Sequence, residues 1–350
     1  MAMSRNDLYS RVSSLLREAR NRAMQNVNTV MVRAYWHIGR EIVEEEQHGR
    51  DRARYGETLI ESLSRKLTRE YGSGWSTSHL WHIRQFYVLF RDRKVLNPHM
   101  ARAESPKGKI LHTLCAELTW SHYRILMRVE DESARSFYEV ECAKNRWSTY
   151  ELERQKGSLL FERLALSKDK KGLKRLALKG QEIQTSRDMI KDPFILEFAG
   201  FPPNTKLYES SLEQALFDNL SRFLLELGKG FTFVGRQKRV TLDGDHFYID
   251  LVFYNTILKC YVLVDLKIGK LTHQDIGQMQ MYVNYYDRDV IQDGDNPTVG
   301  LLMCEDKKEA VVRYTLSKEN KQIFASKYKL YLPSEKELRK ELLEERKRVS

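Results

Sequence analysis

At 350 residues, with 41% hydrophobic and 11% aromatic side chains, the chain is long and apolar enough for two cored domains, which excludes wholesale disorder. No apolar run reaches transmembrane length and the N-terminus lacks a secretory apolar core, while Cys115, Cys142, Cys260 and Cys304 form no metal- or disulfide-type spacing, so a reducing cytoplasm and no membrane association are expected. The net charge of +11 is lopsided: residues 1–180 hold 34 basic and 22 acidic side chains and residues 181–350 hold 25 and 26, which points the first half at a polyanion.

The first half reads as successive helices. Residues 5–25 and 27–47 carry apolar positions at helical spacing, among them Val30, Ala34, Ile38 and Ile42. A further amphipathic stretch runs from Glu57 to Tyr71 and is ended by Gly72 and Gly74. Trp-Ser pairs recur at Trp75-Ser76, Trp120-Ser121 and Trp147-Ser148. With each Ser as an N-cap, the Trp staples onto Leu80, Ile125 and Leu152, and Glu151 completes a capping box with Ser148. These tryptophans are therefore read as helix-start fasteners rather than ligand platforms. Residues 57–71 and 76–90, separated by a glycine turn, fit a helix-turn-helix that would offer Ser78, His79, His82 and Arg84 to a groove. A helical bundle used for oligomerisation fits the same pattern equally well. No role is assigned to the loop 94–109. The basic stretch 168–179 is a linker or a weakly docked helix. The expected domains are 1–165 helical, 166–190 basic linker, and 191–350 an α/β domain.

From residue 211 to 227 one strong amphipathic helix is expected, stopped by Gly228 and Gly230. Three strands follow at 231–242, 246–254 and 259–268, the first pair joined across Asp243-Gly244, a hairpin signal. A helix near 273–287, a buried strand at 298–304, a last strand near 327–332 and a charged helix at 334–348 complete an α/β or α+β order. By alternation, Phe247, Ile249, Leu251 and Phe253 share one face with Asp250 on the other. Val262, Val264, Leu266 and Ile268 likewise leave Asp265 and Lys267 together opposite. A hairpin centred near Ile257-Leu258 sets Asp250 across from Asp265, with Cβ atoms about 5 Å apart.

Two carboxylates so close repel unless a cation lies between them, and oxygen-only ligands on a sheet suit Mg²⁺. Lys267 would stabilise phosphate charge or position the attacking water. Asp250, fourteen intervening residues, then Asp265-Leu-Lys267 match the D-(x)₁₄-(D/E)-x-K pattern of PD-(D/E)XK nucleases. Glu213 on the preceding helix is a third candidate ligand, with Glu209 as competitor and a capping box at Ser210–Glu213 as the structural alternative. Gln278 and Tyr282 lie one turn apart on the following helix, with Gln274 a turn earlier, and would hold a phosphate or orient Lys267. Arg236, Lys238 and Arg239 are candidate phosphate contacts, and Gln237 either approaches the site or pairs at an edge.

Phe223–Phe231, Phe233–Gln237, Phe247–Tyr254 and Gly277-Gln278 resemble the YhcG-type family of bacterial PD-(D/E)XK nucleases. Tyr35–Gly39, Leu80–Tyr87, Leu118–Tyr123 and Arg146–Ser148 resemble that family's N-terminal domain. The resemblance covers nearly the whole chain in order. It implies a restriction-endonuclease-like core joined to a helical, DNA-binding module, and a cytoplasmic DNA endonuclease dependent on Mg²⁺ or Mn²⁺. Asp250, Asp265 and Glu213 would hold the metal; Lys267, Gln278 and Tyr282 would complete the catalytic set; Arg236, Lys238, Arg84 and His82 would contact DNA. Asp265 stands where the family more usually has Glu. The competing reading is a DNA-binding or assembly protein with an inactive nuclease fold. A homodimer would supply the two sites that double-strand cutting needs.

Overall fold

The computed structural model describes residues 5–48, 55–91, 118–165, 170–202, 208–306, 309–317, 319–334 and 336–340. The loop 94–109, Cys115 and the greater part of the C-terminal charged stretch lie outside them. The chain divides into two compact units, one of residues 1–154 with 177–180 and the other of residues 155–176 with 181–350.

The first unit is helical. Helix α1 (Arg5–His48) is continuous through Asn26, so the expected pair of helices is one. Helices α2 (Tyr55–Tyr71) and α3 (Thr77–Phe90) pack on its C-terminal half, burying Ile42, Ile60, Leu80 and Ile83 with Trp75 and Trp120 at the margin. At Gly39 a Cβ would stand 2.5 Å from the Ile83 carbonyl oxygen, so only glycine lets α1 and α3 approach this closely. The Ser76 cap forms as expected, its hydroxyl accepting the His79 N–H at 3.2 Å. Helix α4 (Trp120–Leu126) begins two residues before the expected position. Thr119 is its N-cap, its own N–H donating to His122 Nδ1 at 3.1 Å, and this leaves Trp120 inside the first turn. After α5 (Glu132–Asn145), α6 (Thr149–Gly157) starts on the Ser148–Glu151 capping box, both of whose hydrogen bonds are present.

The second unit is built on a six-stranded mixed sheet. Helices α7 (Leu160–Ala165) and α8 (Lys170–Lys179) precede it in the chain, and α8 occupies the basic stretch. The strands β1 (Phe194–Ile195), β2 (Phe231–Leu242), β3 (Asp245–Asn255), β4 (Cys260–Lys270), β5 (Val299–Asp306) and β6 (Ile323–Lys329) stand in the order β1-β6-β5-β4-β3-β2. Strands β2 to β4 form an antiparallel meander, and β4, β5, β6 and β1 run parallel. Asp243 and Gly244 both take positive φ (50° and 93°), the primed-turn geometry that suits a hairpin's twist. The last strand starts four residues earlier than expected, and the two-residue β1 has no sequence signature at all.

One sheet face is covered by α9 (Glu209–Asp218) and α10 (Leu220–Leu227), the other by α11 (His273–Asp289); α12 (Glu309–Thr315) links β5 to β6. The single helix expected from 211 to 227 is broken at Asn219, whose side-chain amide donates to the Ala215 carbonyl while its backbone leaves helical geometry (φ −111°, ψ 31°). A second correction concerns β3. Leu251 and Phe253 enter the core under α9 and α10, but Phe247 and Ile249 pack with Val252 on the α11 side. The face changes at Asp250, opposite a β2 segment that carries a register shift after Phe233 and a left-handed Gln237 (φ 46°). Strand β4 keeps its expected alternation.

Candidate active site

The β3–β4 pairing continues from Asn255↔Cys260 to Leu251↔Val264, a register that carries Asp250 toward Asp265 as the spacing predicts. Beyond that pair the strands part. The Asp250 carboxylate then takes over from the backbone, its Oδ2 accepting the Leu266 N–H at 2.7 Å. The fork lets side chains from both layers of helices converge on one place.

Asp265 is 2% exposed, and its Oδ2 lies 2.8 Å from Lys267 Nζ in the geometry of an ion pair rather than an aligned hydrogen bond. The two aspartates are close enough for each carboxyl to feel the other's charge. Burial first, and then the Asp250 charge, raise Asp265 to about 7. Asp250 is raised as well, by burial and the nearby Glu213 and Glu209, against the lowering effects of the Leu266 N–H and Lys267. Burial alone would pull Lys267 down; Asp265, Glu209 and Asp250 outweigh it and hold the ammonium charged.

Helix α9 brings two more carboxylates. Tyr208 is its N-cap, so Glu213 lies past the first turn and the Ser210–Glu213 capping box does not form. Glu213 is buried, and its Oε2 accepts the Gln237 amide at 2.6 Å. The same Gln237 Nε2 donates to Asp250 Oδ1 at 3.2 Å and so ties the helix carboxylate to the sheet carboxylate. Glu209 is half exposed at the rim; its Oε1 accepts the Ile268 N–H, and its Oε2 is 3.9 Å from Lys267 Nζ. Both glutamates therefore face the cluster, Glu213 from inside. Of the two alternatives the sequence leaves open for Gln237, approach to the site or pairing at an edge, the structure shows the first; the irregular β2 backbone that aims it has no signature in the sequence.

Gln278 and Tyr282 find each other. Gln278 Nε2 donates to Tyr282 Oη at 2.5 Å, and Tyr282 donates to the Tyr248 carbonyl at 3.0 Å. Burial raises the phenol, which also senses Asp265, Lys267 and Asp250. The pair anchors α11 to β3 beside the fork. Gln274 is exposed a turn earlier. Arg236 is drawn to the rim, its Nε 3.7 Å from Glu213 Oε1 and its Nη1 donating to Gln214 at 2.8 Å, over the Phe217 ring. Lys238 and Arg239 are exposed farther along β2. His82 and Arg84 belong to the other unit. There Arg84 makes a two-oxygen ion pair with Glu46 (2.9 and 2.8 Å) over Trp81, and His82 Nδ1 is 2.7 Å from the Ser78 carbonyl oxygen.

Among the described residues the buried Glu213 Oε1 accepts no hydrogen bond, and the buried Asp265 Oδ2 is met by the Lys267 ammonium at 2.8 Å, so both carboxylates keep a side that a cation can use. Among the described residues no three His, Cys, Asp or Glu side chains form a ready-made cage. A donor set of carboxylate oxygens alone suits a hard divalent ion that binds through one or two carboxylates and keeps its waters.

Residues 187–343 match the model described as YhcG PDDEXK nuclease domain, and residues 11–163 match the DUF1016 N-terminal domain. The candidate nuclease YhcG of Escherichia coli (strain K12) is 37% identical over 350 residues, covering 96% of this chain and 93% of that protein. Among solved structures, a repair endonuclease from Pyrococcus abyssi is similar at a TM-score of 0.26 and 20% identity, over 38% of this chain and 50% of that one, a likeness from which nothing further is read. With a helical first half, a PDDEXK sheet domain in the second and a relative matched almost end to end, the chain belongs to the YhcG nuclease family.

Proposed function

We propose that this protein is a DNA endonuclease dependent on Mg²⁺ or Mn²⁺, whose helical half binds DNA. The observation that carries the reading is the half-buried Asp250 carboxylate beside the buried Asp265 and Lys267 at the fork of β3 and β4. Asp250 and Asp265, with Glu213 behind them, are the ligands assigned to the ion. When bound, the ion polarises the phosphate and lowers the pKa of water.

The remaining work falls to side chains. Lys267 is held protonated by the surrounding carboxylates, so it acts as a cation and hydrogen-bond donor toward the nucleophilic water and the phosphate, not as a free base. The water oxygen bonds to phosphorus and gives its proton to solvent, the bond to the leaving sugar oxygen breaks and that oxygen takes a proton from solvent, and Lys267 offsets the charge that accumulates. Gln278 and Tyr282 hold the α11 side of the fork in place. Arg236 and Lys238 would meet the phosphate backbone beside the cut.

The test is conversion of supercoiled plasmid with Mg²⁺ or Mn²⁺. EDTA should abolish it, and Lys267→Ala should lower the rate by about 100-fold or more, the scale of losing one charge-stabilising donor. Undiminished cutting by Lys267→Ala sinks the mechanism. Salt-sensitive DNA binding with no cutting under either metal would leave an inactive nuclease fold instead.

A further inference from the structure

The two halves of α1 live in different surroundings. From Val32 onward its apolar side chains are buried or half-buried, Val32, Trp36 and Ile42 fully so. Before Val32 they are not: Tyr9 is 75% exposed, Leu15 and Met24 65%, and Val27 and Val30 62%. Single exposed hydrophobics are ordinary, but eight large ones on one stretch of helix are not.

Their spacing is informative. Tyr9, Val12, Leu16, Ala19, Ala23 and Val30 fall on the a and d positions of successive heptads, and Asn26 takes the remaining d position. Leu15 and Val27 flank the seam at g and e, whereas Arg17 lies outside it and turns back to the Ser13 carbonyl. From residue 9 to residue 30 the seam is about 32 Å long at 1.5 Å per residue. We propose that this stripe is the seam of a two-stranded coiled coil formed with the same helix of a second copy of the chain.

Six of the eight large exposed side chains, Tyr9, Val12, Leu15, Leu16, Val27 and Val30, lie on or beside the seam, and burying them in a pair approaches the roughly 1,200 Å² at the lower end of stable interfaces. The middle of the stripe also favours a helix over a lipid surface. Ala19, Ala23 and Asn26 bring no bulk to insert among acyl chains, but they allow a second backbone to come close, and a single polar seam residue such as Asn26 specifies register at some cost in stability. A helix half this exposed has little tertiary packing to stabilise it, and pairing supplies that packing. The seam stands independently of the nuclease reading. Its consequence, two active sites delivered together to opposite strands, rests on that reading.

The experiment is the mass of the full-length chain by sedimentation equilibrium at micromolar concentration, in 0.15 M and 0.5 M NaCl. The expected mass is twice 41.3 kDa at both salt concentrations, because apolar burial is not screened. Leu16→Asp combined with Val30→Asp should return the mass to 41.3 kDa with the thermal unfolding of the rest unchanged, since neither side chain is buried within the protomer. Ala23→Glu, which places a charge in the seam without removing a large side chain, should do the same. A monomeric wild type overturns the proposal, and its flotation with phosphatidylglycerol vesicles would assign the stripe to membrane instead. A dimer that both variants leave intact overturns the assigned seam. None of these readouts uses cleavage, so a dead nuclease and a missing dimer are separately visible.

Discussion

Burial and the neighbouring Asp250 charge raise Asp265 from an ordinary 3.8 to about 7, so the folded protein retains a proton that the unfolded chain releases. The stability this confers is complete below about pH 4 and is lost as pH climbs to 7 and beyond. Between pH 4 and pH 8 the metal-free wild type should therefore lose up to about 4 kcal/mol that Asp265→Asn keeps, an upper bound because Asp250 titrates together with it. Urea unfolding in EDTA at several pH values measures this, and parallel pH dependences for the two proteins would contradict it. A divalent cation at pH 8 should restore the wild type and leave the Asn variant little changed. Gln237 gives a complementary case. Its amide joins Glu213 to Asp250, so Gln237→Ala should cost about 1–3 kcal/mol in EDTA, and much of that loss should be recovered on adding Mg²⁺, which supplies the missing positive partner. Melting temperatures with and without the ion decide it; an equal loss in both would remove Gln237 from the site.

The first helices of the second unit are fastened by a buried ion pair. Arg163 of α7 and Glu226 of α10 have fully buried side chains 2.7 Å apart, with Arg163 also donating to the carbonyls of Pro193 and Ser158, and Glu226 accepting the Ile195 N–H. This network ties residues near 160 to the sheet and accounts for their grouping with the second unit although the helical run begins far upstream. Glu226→Ala should cost about 3–5 kcal/mol in urea unfolding, because it leaves a buried guanidinium unpaired, and Arg163→Met with Glu226→Leu should recover part of it. Arg163 and Glu226 carry no pattern in the chain that would betray their meeting. By contrast, the β2–β4 meander was legible, since period-two alternation and Asp243-Gly244 are local signals, and so were Asp250, Asp265 and Lys267, whose positions follow from register. What escaped depends on contacts between elements distant in the chain: the break at Asn219, the change of face at Asp250, the left-handed Gln237 and the short edge strand β1. Each is a place where a strand or helix bends to serve a neighbour, and the neighbour is not written nearby.

Across the whole molecule the charge is divided as the two proposed tasks require. Residues 1–180 carry a surplus of twelve positive charges (34 against 22), and residues 181–350 are near balance with carboxylates gathered at the fork. A site that must collect a cation cannot itself be strongly basic, so attraction to the DNA backbone has to come from elsewhere in the chain. Nucleic acid is the polyanion that matches a PDDEXK nuclease domain, and DNA is the one proposed above. On α2, Arg65, Lys66 and Arg69 are exposed on the helical half. If they meet phosphates, the affinity of the Lys267→Ala protein for duplex DNA should fall linearly on a logarithmic salt scale. Replacing all three with alanine should then make that slope shallower by about 0.9 for each phosphate no longer neutralised, uniformly across DNA sequences. Fluorescence anisotropy over roughly 50–300 mM NaCl measures both quantities. An unchanged slope would remove α2 from the DNA interface and favour assembly as the task of the helical half; a change confined to one sequence would indicate base reading rather than phosphate attraction.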